Sequence, residues 1–201
     1  MDMAHVCEGT QVLDLATGTG DLAFLASTRT GRTGVVIGLD ITWRMLELAA
    51  TKRKHGQPHF VRGDMLALPF RDASFDVITT GYGIRNVPDL ERALDEVARV
   101  VRPGGQFFSL DFDRPAHPVV RTAYLAYLTV VGSTLGVLLH GDPDTYRYIP
   151  ASLRAYPGSE QVAQMLRARG FQDTHVISVL GGLIAVHRAC KQDRRLRSEE
   201  R

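Results

Sequence analysis

Acidic residues recur at the ends of apolar runs of strand length: Asp14 within Gln11–Ala16, Asp40 closing Val35–Asp40, and Asp64 just past His59–Arg62. The first belongs to Asp14-Leu15-Ala16-Thr17-Gly18-Thr19-Gly20-Asp21. Glycines there let the backbone turn sharply and approach a ligand closely, because no Cβ intervenes. Gly18-x-Gly20-x-x-Ala23 satisfies the dinucleotide fingerprint, and Asp40 follows about 20 residues later, where a carboxylate can accept both ribose hydroxyls. A nicotinamide dinucleotide is therefore one reading. Charge favours another. Asp14 stands four residues before the first glycine, at a strand end that faces a ligand, and suits an ammonium group better than a pyrophosphate. S-adenosylmethionine carries an α-ammonium and a sulfonium, so Asp14 and Asp21 around the loop become attractive. Gly63-Asp64-Met65 extends the pattern, with Asp64 able to reach the adenine amino group while Met65 packs on the ring. Any one of these acids alone would read as a cap or turn residue; three at successive strand ends beside a glycine loop read as a cofactor site.

Such residues need a scaffold that gathers strand ends. Strands are predicted at Gln11–Ala16, Val35–Asp40, His59–Arg62, Phe75–Thr80 and Gln106–Asp111, with helical spacing at Leu22–Ser27, Trp43–Lys52 and Leu90–Val101 between them. Alternation of this kind means a parallel sheet covered on both faces. A helical Glu160–Arg169 stops at Gly170 and is followed by Thr174–Val179 and Leu183–His187. The Gly181-Gly182 pair between these two strands reads as a hairpin turn, which makes the last strand antiparallel. The expectation is a Rossmann-like α/β fold with a seven-stranded, mostly parallel sheet. Tyr124–Leu139 has no charged residue and raises the question of a membrane span. It contains Thr129, Gly132, Ser133, Thr134 and Gly136, lies between Arg121 and Asp142, and falls between two strands of one sheet, which favours a helix lining an apolar pocket or an ordinary core helix.

A chain of 201 residues, 44% hydrophobic, suits one such domain, 1–190, with 112–158 as an insert or lid over the substrate pocket and 191–201 as a flexible basic tail. Cys7 and Cys190 belong to no CxxC or Cys/His cluster, so neither a disulfide framework nor a metal site is expected, and the chain is placed in a reducing cytoplasm. Met1–Thr10 has neither the basic nor the apolar region of a secretion signal. With 24 basic and 22 acidic residues the balance does not imply nucleic acid. The excess sits in Lys191–Arg201, which could touch anionic lipid at the inner face of the membrane. A homodimer is compatible with this composition.

With these residues placed, the chain resembles a class I S-adenosylmethionine-dependent methyltransferase, and more narrowly the family that C-methylates demethylmenaquinol and 2-polyprenyl-6-methoxy-benzoquinol in menaquinone and ubiquinone biosynthesis. The likeness runs from Val12 to about Arg188. It is carried by Leu68-Pro69-Phe70 with Ser74-Phe75-Asp76, Gly83-Ile84-Arg85-Asn86-Val87, Arg102-Pro103-Gly104-Gly105, Asp144-x-Tyr146-Arg147-Tyr148, Ser152-Leu153-Arg154-x-x-Pro157 and Gly182-Leu183-Ile184-Ala185-x-His187. The Arg-Pro-Gly-Gly turn is common to the wider fold; Gly-x-Arg-Asn and Tyr-Arg-Tyr are much narrower. The resemblance implies Thr19, Asp40, Asp64 and Met65 at the cofactor, and the whole expected set is Asp14, Gly18, Thr19, Gly20, Asp40, Ile41, Asp64 and Met65. Relatives usually carry a Tyr-Asp-x-Met-Asn and a His-x-x-Trp-Lys segment ahead of the first strand, and neither occurs here. Gly81 stands where some have a serine, and the apolar stretch lacks their Leu-Pro break, so its helix should run straighter.

The implied reaction is an in-line displacement whose main demand is alignment of acceptor and methyl group. A ring carbon is a poor nucleophile until a ring hydroxyl loses its proton, so the substrate should be the quinol. Arg85 is expected to stabilise the phenolate and Asn86 to hold a water or the ring hydroxyl. A guanidinium is too basic to accept the proton, and a water held by Arg85 and Asn86 is the expected relay. Tyr146 and Arg147 are expected to bind substrate, and His140 and Asp142 are the alternative bases. Asp111 and Asp113 could line the pocket mouth, and Arg85 could instead pair with Asp89 or Glu91. A nicotinamide-dependent oxidoreductase and a binding-only protein for cofactor or lipid are the readings of other classes.

Overall fold

Apolar residues alternate along the central strands in the register that a sheet covered on both sides demands. In β1 (Gln11–Leu15), Val12 packs with Ala23 and Ala26 of α1 (Asp21–Thr30), whereas Leu13 and Leu15 face the opposite cluster with Leu94 and Val97 of α3 (Leu90–Val100). The same switch separates Val77 from Ile78 in β4 (Phe75–Gly81) and Phe108 from Phe107 in β5 (Val101–Phe112). In this computed structural model, which describes residues 4–52, 58–115, 117–141 and 148–193, the remaining elements are β2 (Val35–Asp40), α2 (Trp43–Lys52), β3 (His59–Arg62), α4 (Pro118–His140), α5 (Tyr148–Ala155), α6 (Ser159–Ala168), β6 (Phe171–Val179) and β7 (Ile184–Lys191). A short 3-10 turn, Ile84–Asn86, follows β4.

The strands form one seven-stranded sheet in the order β3-β2-β1-β4-β5-β7-β6. Only β7 runs against its neighbours, pairing antiparallel with both β5 and β6. The expected α/β sheet, with its single reversed strand at the C-terminal end of the chain, is the fold the chain adopts. Gly181 (φ 67°) and Gly182 (φ 93°) supply the left-handed conformations that turn β6 into β7.

Two expectations change. Arg102–Gly105 is not a turn ahead of a strand but a bulge inside β5: Val101 pairs with Phe75 and Gln106 with Val77, so the intervening residues loop out. Arg102 anchors this bulge through a 2.6 Å ion pair to Asp76. The apolar stretch forms one continuous 23-residue helix, α4, unbroken as expected, but it does not pack as an ordinary core helix. Tyr124 is buried, but Val119, Tyr127, Val130 and Leu138 are more than half exposed. Among the described residues, no helix is long and apolar enough to cross a membrane.

Candidate active site

The sheet winds outward in both directions from the β1–β4 pair, and a doubly wound sheet opens a crevice at the carboxyl ends of its strands at that switch point. A cavity of ≈ 440 Å³ lies there. Ala16, Gly18, Asp40, Ile41, Asp64 and Met65 line one side, and Tyr82, Asn86 and Tyr148 line the other. A larger cavity of ≈ 490 Å³, beside Asp113, Arg114 and Arg121, contains none of the expected cofactor residues.

The glycine loop is held open by a carboxylate. Asp40 Oδ2 accepts the Gly18 N–H at 2.8 Å and Oδ1 accepts that of Thr42 at 2.8 Å, so one buried acid fixes both the β1 loop and the start of the turn into α2. Gly18 itself, at φ 55°, has nothing within 4 Å of where a Cβ would stand. Ala16 (φ 49°) and Tyr82 (φ 57°), past the ends of β1 and β4, are non-glycine residues held in the left-handed region against the same cavity. Strain of this kind persists only where surroundings enforce it. The two loops touch because residue 83 is glycine: a Cβ there would come within 2.7 Å of that of Ala16. Asp64 Oδ1 accepts from Leu66 N at 2.9 Å, and Met65 is buried against the core.

Asp14, Thr19 and Gly20 lie outside the cavity wall. Asp14 is 1% exposed, and both its oxygens are taken: Oδ2 accepts from Thr17 Oγ1 at 2.6 Å and Oδ1 from Thr79 Oγ1 at 2.7 Å. The ligand-facing carboxylate expected there is instead a buttress beneath the loop. Burial pushes its carboxyl up to about 6, against the downward pull of the two hydroxyls. Asp21 is exposed and paired with Lys52 at 2.9 Å, and it accepts from Thr19 Oγ1 at 3.2 Å. Its charge is therefore already matched.

Arg85 and Asn86 meet the cavity differently from each other. Asn86 is in the wall, its Nδ2 donating to Tyr82 O at 3.1 Å and its Oδ1 accepting from an Arg85 terminal nitrogen at 3.3 Å. The guanidinium sits behind this wall, 2% exposed. Arg85 Nε lies 2.9 Å from Asp111 Oδ1, but its N–H does not point along that line, so the contact is an ion pair and not a hydrogen bond. The same Arg85 nitrogen that reaches Asn86 donates to Ser152 Oγ at 3.2 Å, and the Phe112 ring centroid is 5.1 Å from the guanidinium carbon. Neither Asp89 nor Glu91 is the partner: Asp89 caps α3 through Arg92 N at 3.0 Å, and Glu91 pairs with Arg169. Asp111 is thus a buried counter-ion rather than a pocket-mouth residue; burial raises its carboxyl to about 6 despite the Arg85 charge. Asp113 accepts from the Ser159 N–H at 3.0 Å and from its hydroxyl, at the start of α6.

Tyr146, Arg147 and Asp142 lie outside the described residues, as does the side chain of His140. Among the described residues of the expected 112–158 lid, Tyr148 alone is in the cavity wall, and none of α4 lines it. Tyr148, Tyr82 and Ser152 were not singled out from the sequence as site residues. Asp111 closes an apolar run as Asp40 does, a signal that marked its position but not its partner. Among the described residues no group of three or more His, Cys, Asp or Glu is placed to hold a metal ion.

Residues 1–191 match the sequence profile of the ubiE/COQ5 methyltransferase family. The chain is similar to the ubiquinone/menaquinone biosynthesis C-methyltransferase UbiE of Edwardsiella ictaluri, with 38% identity over 195 residues, 95% of this chain and 78% of that one. It is 37% identical to UbiE of Escherichia coli O1:K1 over the same shares. Among solved structures it is similar to a SAM-dependent methyltransferase from Aquifex aeolicus, with a TM-score of 0.66 and 19% identity over 94% of this chain and 86% of that one. A likeness of that kind also holds for an S-adenosylmethionine-dependent methyltransferase from Mesorhizobium loti, at a TM-score of 0.67 and 18% identity over 94% of each chain. These two likenesses speak to the fold; the profile match and the level of identity speak to descent, and on them the chain belongs to the ubiE/COQ5 methyltransferase family.

Proposed function

We propose that this chain transfers a methyl group from S-adenosylmethionine to a ring carbon of an isoprenoid quinol, either demethylmenaquinol or 2-polyprenyl-6-methoxy-benzoquinol. The observation that carries this is one continuous cavity, with Gly18, Asp40, Ile41, Asp64 and Met65 at one side and Asn86 and Tyr148 at the other. The residues fit the cofactor. Gly18 permits close backbone approach, Asp40 and Asp64 are acceptors for hydroxyl and amino groups, and Ile41 and Met65 offer apolar surface. When bound, S-adenosylmethionine supplies an electrophilic methyl group on a sulfonium. Asn86, fixed between Arg85 and Tyr82, holds the acceptor's hydroxyl or a water beside it, and Tyr148 bounds the ring. Arg85 supports the developing negative charge from behind this wall, through Asn86 and through its field. The names of the UbiE relatives support the quinol class. Against a nicotinamide cofactor, β7 is inserted antiparallel between β5 and β6, a departure from the 3-2-1-4-5-6 strand order of dinucleotide-binding sheets.

Two assays test this. Calorimetric titration should give saturable binding of S-adenosylhomocysteine and none of NADH; the reverse pattern overturns the cofactor. Labelled S-adenosylmethionine with a demethylquinol should give ring-methylated product, and absence of product overturns the reaction.

A further part of the proposal concerns where the substrate is met. The exposed apolar side chains of α4, Val130 and Leu138 among them, suit peripheral contact with the membrane that would carry a polyprenyl tail. Val130→Glu with Leu138→Glu should weaken co-flotation with anionic phospholipid vesicles by about tenfold while leaving S-adenosylhomocysteine affinity unchanged. Equal flotation of variant and wild type removes α4 from that role. Sedimentation of both proteins without lipid shows whether this face instead pairs two copies.

A further inference from the structure

A chain of contacts runs inward from the acceptor side of the cavity. Asn86 Oδ1 accepts from Arg85, whose guanidinium is paired with Asp111 and also donates to Ser152 Oγ. Asp111 also accepts the Arg85 backbone N–H at 3.3 Å and that of Phe112 at 2.8 Å. One carboxylate at the end of β5 thereby holds both the main chain and the side chain of the residue next to Asn86. The Arg85 and Asp111 side chains are each 2% exposed, so no solvent competes for either partner. Burial of such a pair usually adds little stability over apolar residues of similar size, so stability alone does not account for it.

We infer that Asp111 is a positioning residue for the proposed methyl transfer: with Ser152 it fixes the Arg85 guanidinium, and through it Asn86, and its charge sets how strongly Arg85 draws a proton from the acceptor. This rests on the quinol reading of the cavity. With Asp111 ionised, the pair is close to neutral as seen from the acceptor; without that charge, Arg85 presents an uncompensated cation. Among the described residues, the other titratable groups around the pair are Asp113 just past β5, Tyr82 beyond β4, Tyr124 on α4, Tyr148 at the start of α5, with its ring centroid 6.0 Å from the guanidinium carbon, and Tyr156 beyond α5. Asp113 is engaged with Ser159, and burial holds Tyr124 and Tyr156 above the ordinary tyrosine range.

Asp111→Asn is nearly isosteric and keeps an oxygen for one of the two backbone donors, which Asp111 meets with separate oxygens. In the full-length chain it should lower kcat with demethylquinol about 10- to 100-fold through lost alignment, with KM for quinol and affinity for S-adenosylhomocysteine within about twofold of wild type. The acid limb of the kcat/KM profile should also move down by about one pH unit, because the unpaired cation favours the ionised acceptor. If kcat falls but the acid limb stays in place, Asp111 is merely structural and the inference is overturned; unchanged kcat overturns it equally. Should Asp111→Asn not fold, Ser152→Ala removes the other anchor with little loss of volume. It should lower kcat about 3- to 10-fold at unchanged KM, and wild-type kcat in that variant overturns the inference. Product from the wild type together with a wild-type variant profile sinks the role of Asp111 alone, whereas no product from the wild type sinks the quinol reading and this inference together.

Discussion

Arg85→Ala is expected to lower quinol turnover by roughly 10²- to 10³-fold and to destabilise the fold by about 3–5 kcal/mol at neutral pH. The two losses have separate causes. Turnover falls because Asn86 Oδ1 loses the donor that orients it and the acceptor loses the cation behind the wall. Stability falls because Asp111, 2% exposed, is left as a buried carboxylate without a counter-ion. Burial already raises its carboxyl to about 6 with Arg85 in place, and without Arg85 it rises further. A carboxylate whose folded pKa lies above its unfolded value keeps its proton longer in the native state, so stability is greatest in acid and declines as pH rises from about 4 through the folded pKa. The penalty for Arg85→Ala should therefore be small near pH 4 and largest at pH 7–8. Thermal melts across that range check it, and a deficit independent of pH would show that Asp111 is not the group left unpaired. Where the variant is folded, S-adenosylhomocysteine should bind nearly as in the wild type, since Arg85 does not line the cavity. Arg85→Lys keeps the charge but not the planar fork, and should fall between the two proteins in both measurements.

The sequence made the sheet legible because its apolar periods are unambiguous: Val35–Asp40, His59–Arg62 and Trp43–Lys52 form as the pattern predicts. The start of β5 was harder to read, because Pro103, Gly104 and Gly105 signal a turn wherever they occur, and only pairing with Phe75 and Val77 makes that turn a bulge. The side of the cavity proposed for the cofactor was legible as a cluster, because Asp40, Ile41, Asp64 and Met65 stand at the ends of the adjacent strands β2 and β3. The Arg85–Asp111 pair was not, since the partners are 26 residues apart and meet only because β4 and β5 are neighbours, Gly81 lying beside Leu110. A nearer acid such as Asp89 was the natural guess from spacing, and it caps a helix instead. For Asp14 the strand alternation held a usable signal. Residues 12 and 14 share a face of β1, and Val12 faces α1, so Asp14 points beneath the loop toward Thr17 and not into the crevice.

That placement makes Asp14→Asn the second substitution with a large expected effect, and one with opposite signs for stability and binding. Wild-type Asp14 is 1% exposed, with its carboxyl raised to about 6 from an ordinary value of 3.8. Its ionisation on going from pH 4 to pH 7 thus opposes folding, by about 3 kcal/mol at roughly 1.4 kcal/mol per unit. An asparagine carries no such charge, so the variant should lose Asp14's share of the fall in stability between about pH 4 and 6. It should also unfold later in denaturant at pH 7–8, the gain over wild type being reduced by whatever the amide forfeits in its contacts with Thr17 and Thr79. Those contacts are also why binding should suffer. The carboxylate accepts from both hydroxyls, whereas an amide must turn a donor toward one of them, and Thr17 carries the loop: its own N–H donates to Leu39 O at 3.0 Å just before Gly18. The negative charge beneath the loop, which favours the α-ammonium group common to S-adenosylmethionine and S-adenosylhomocysteine, disappears as well. S-adenosylhomocysteine affinity should fall about tenfold, measured by titration at the pH of greatest stability gain. A buried acid that costs the fold stability while bracing a ligand loop is the pattern expected where a site, and not stability, sets the residue. A variant that is less stable than wild type at pH 8, with the same slope between pH 4 and 6, would mean that Asp14 is not held protonated by burial and that its role under the loop is purely a matter of packing.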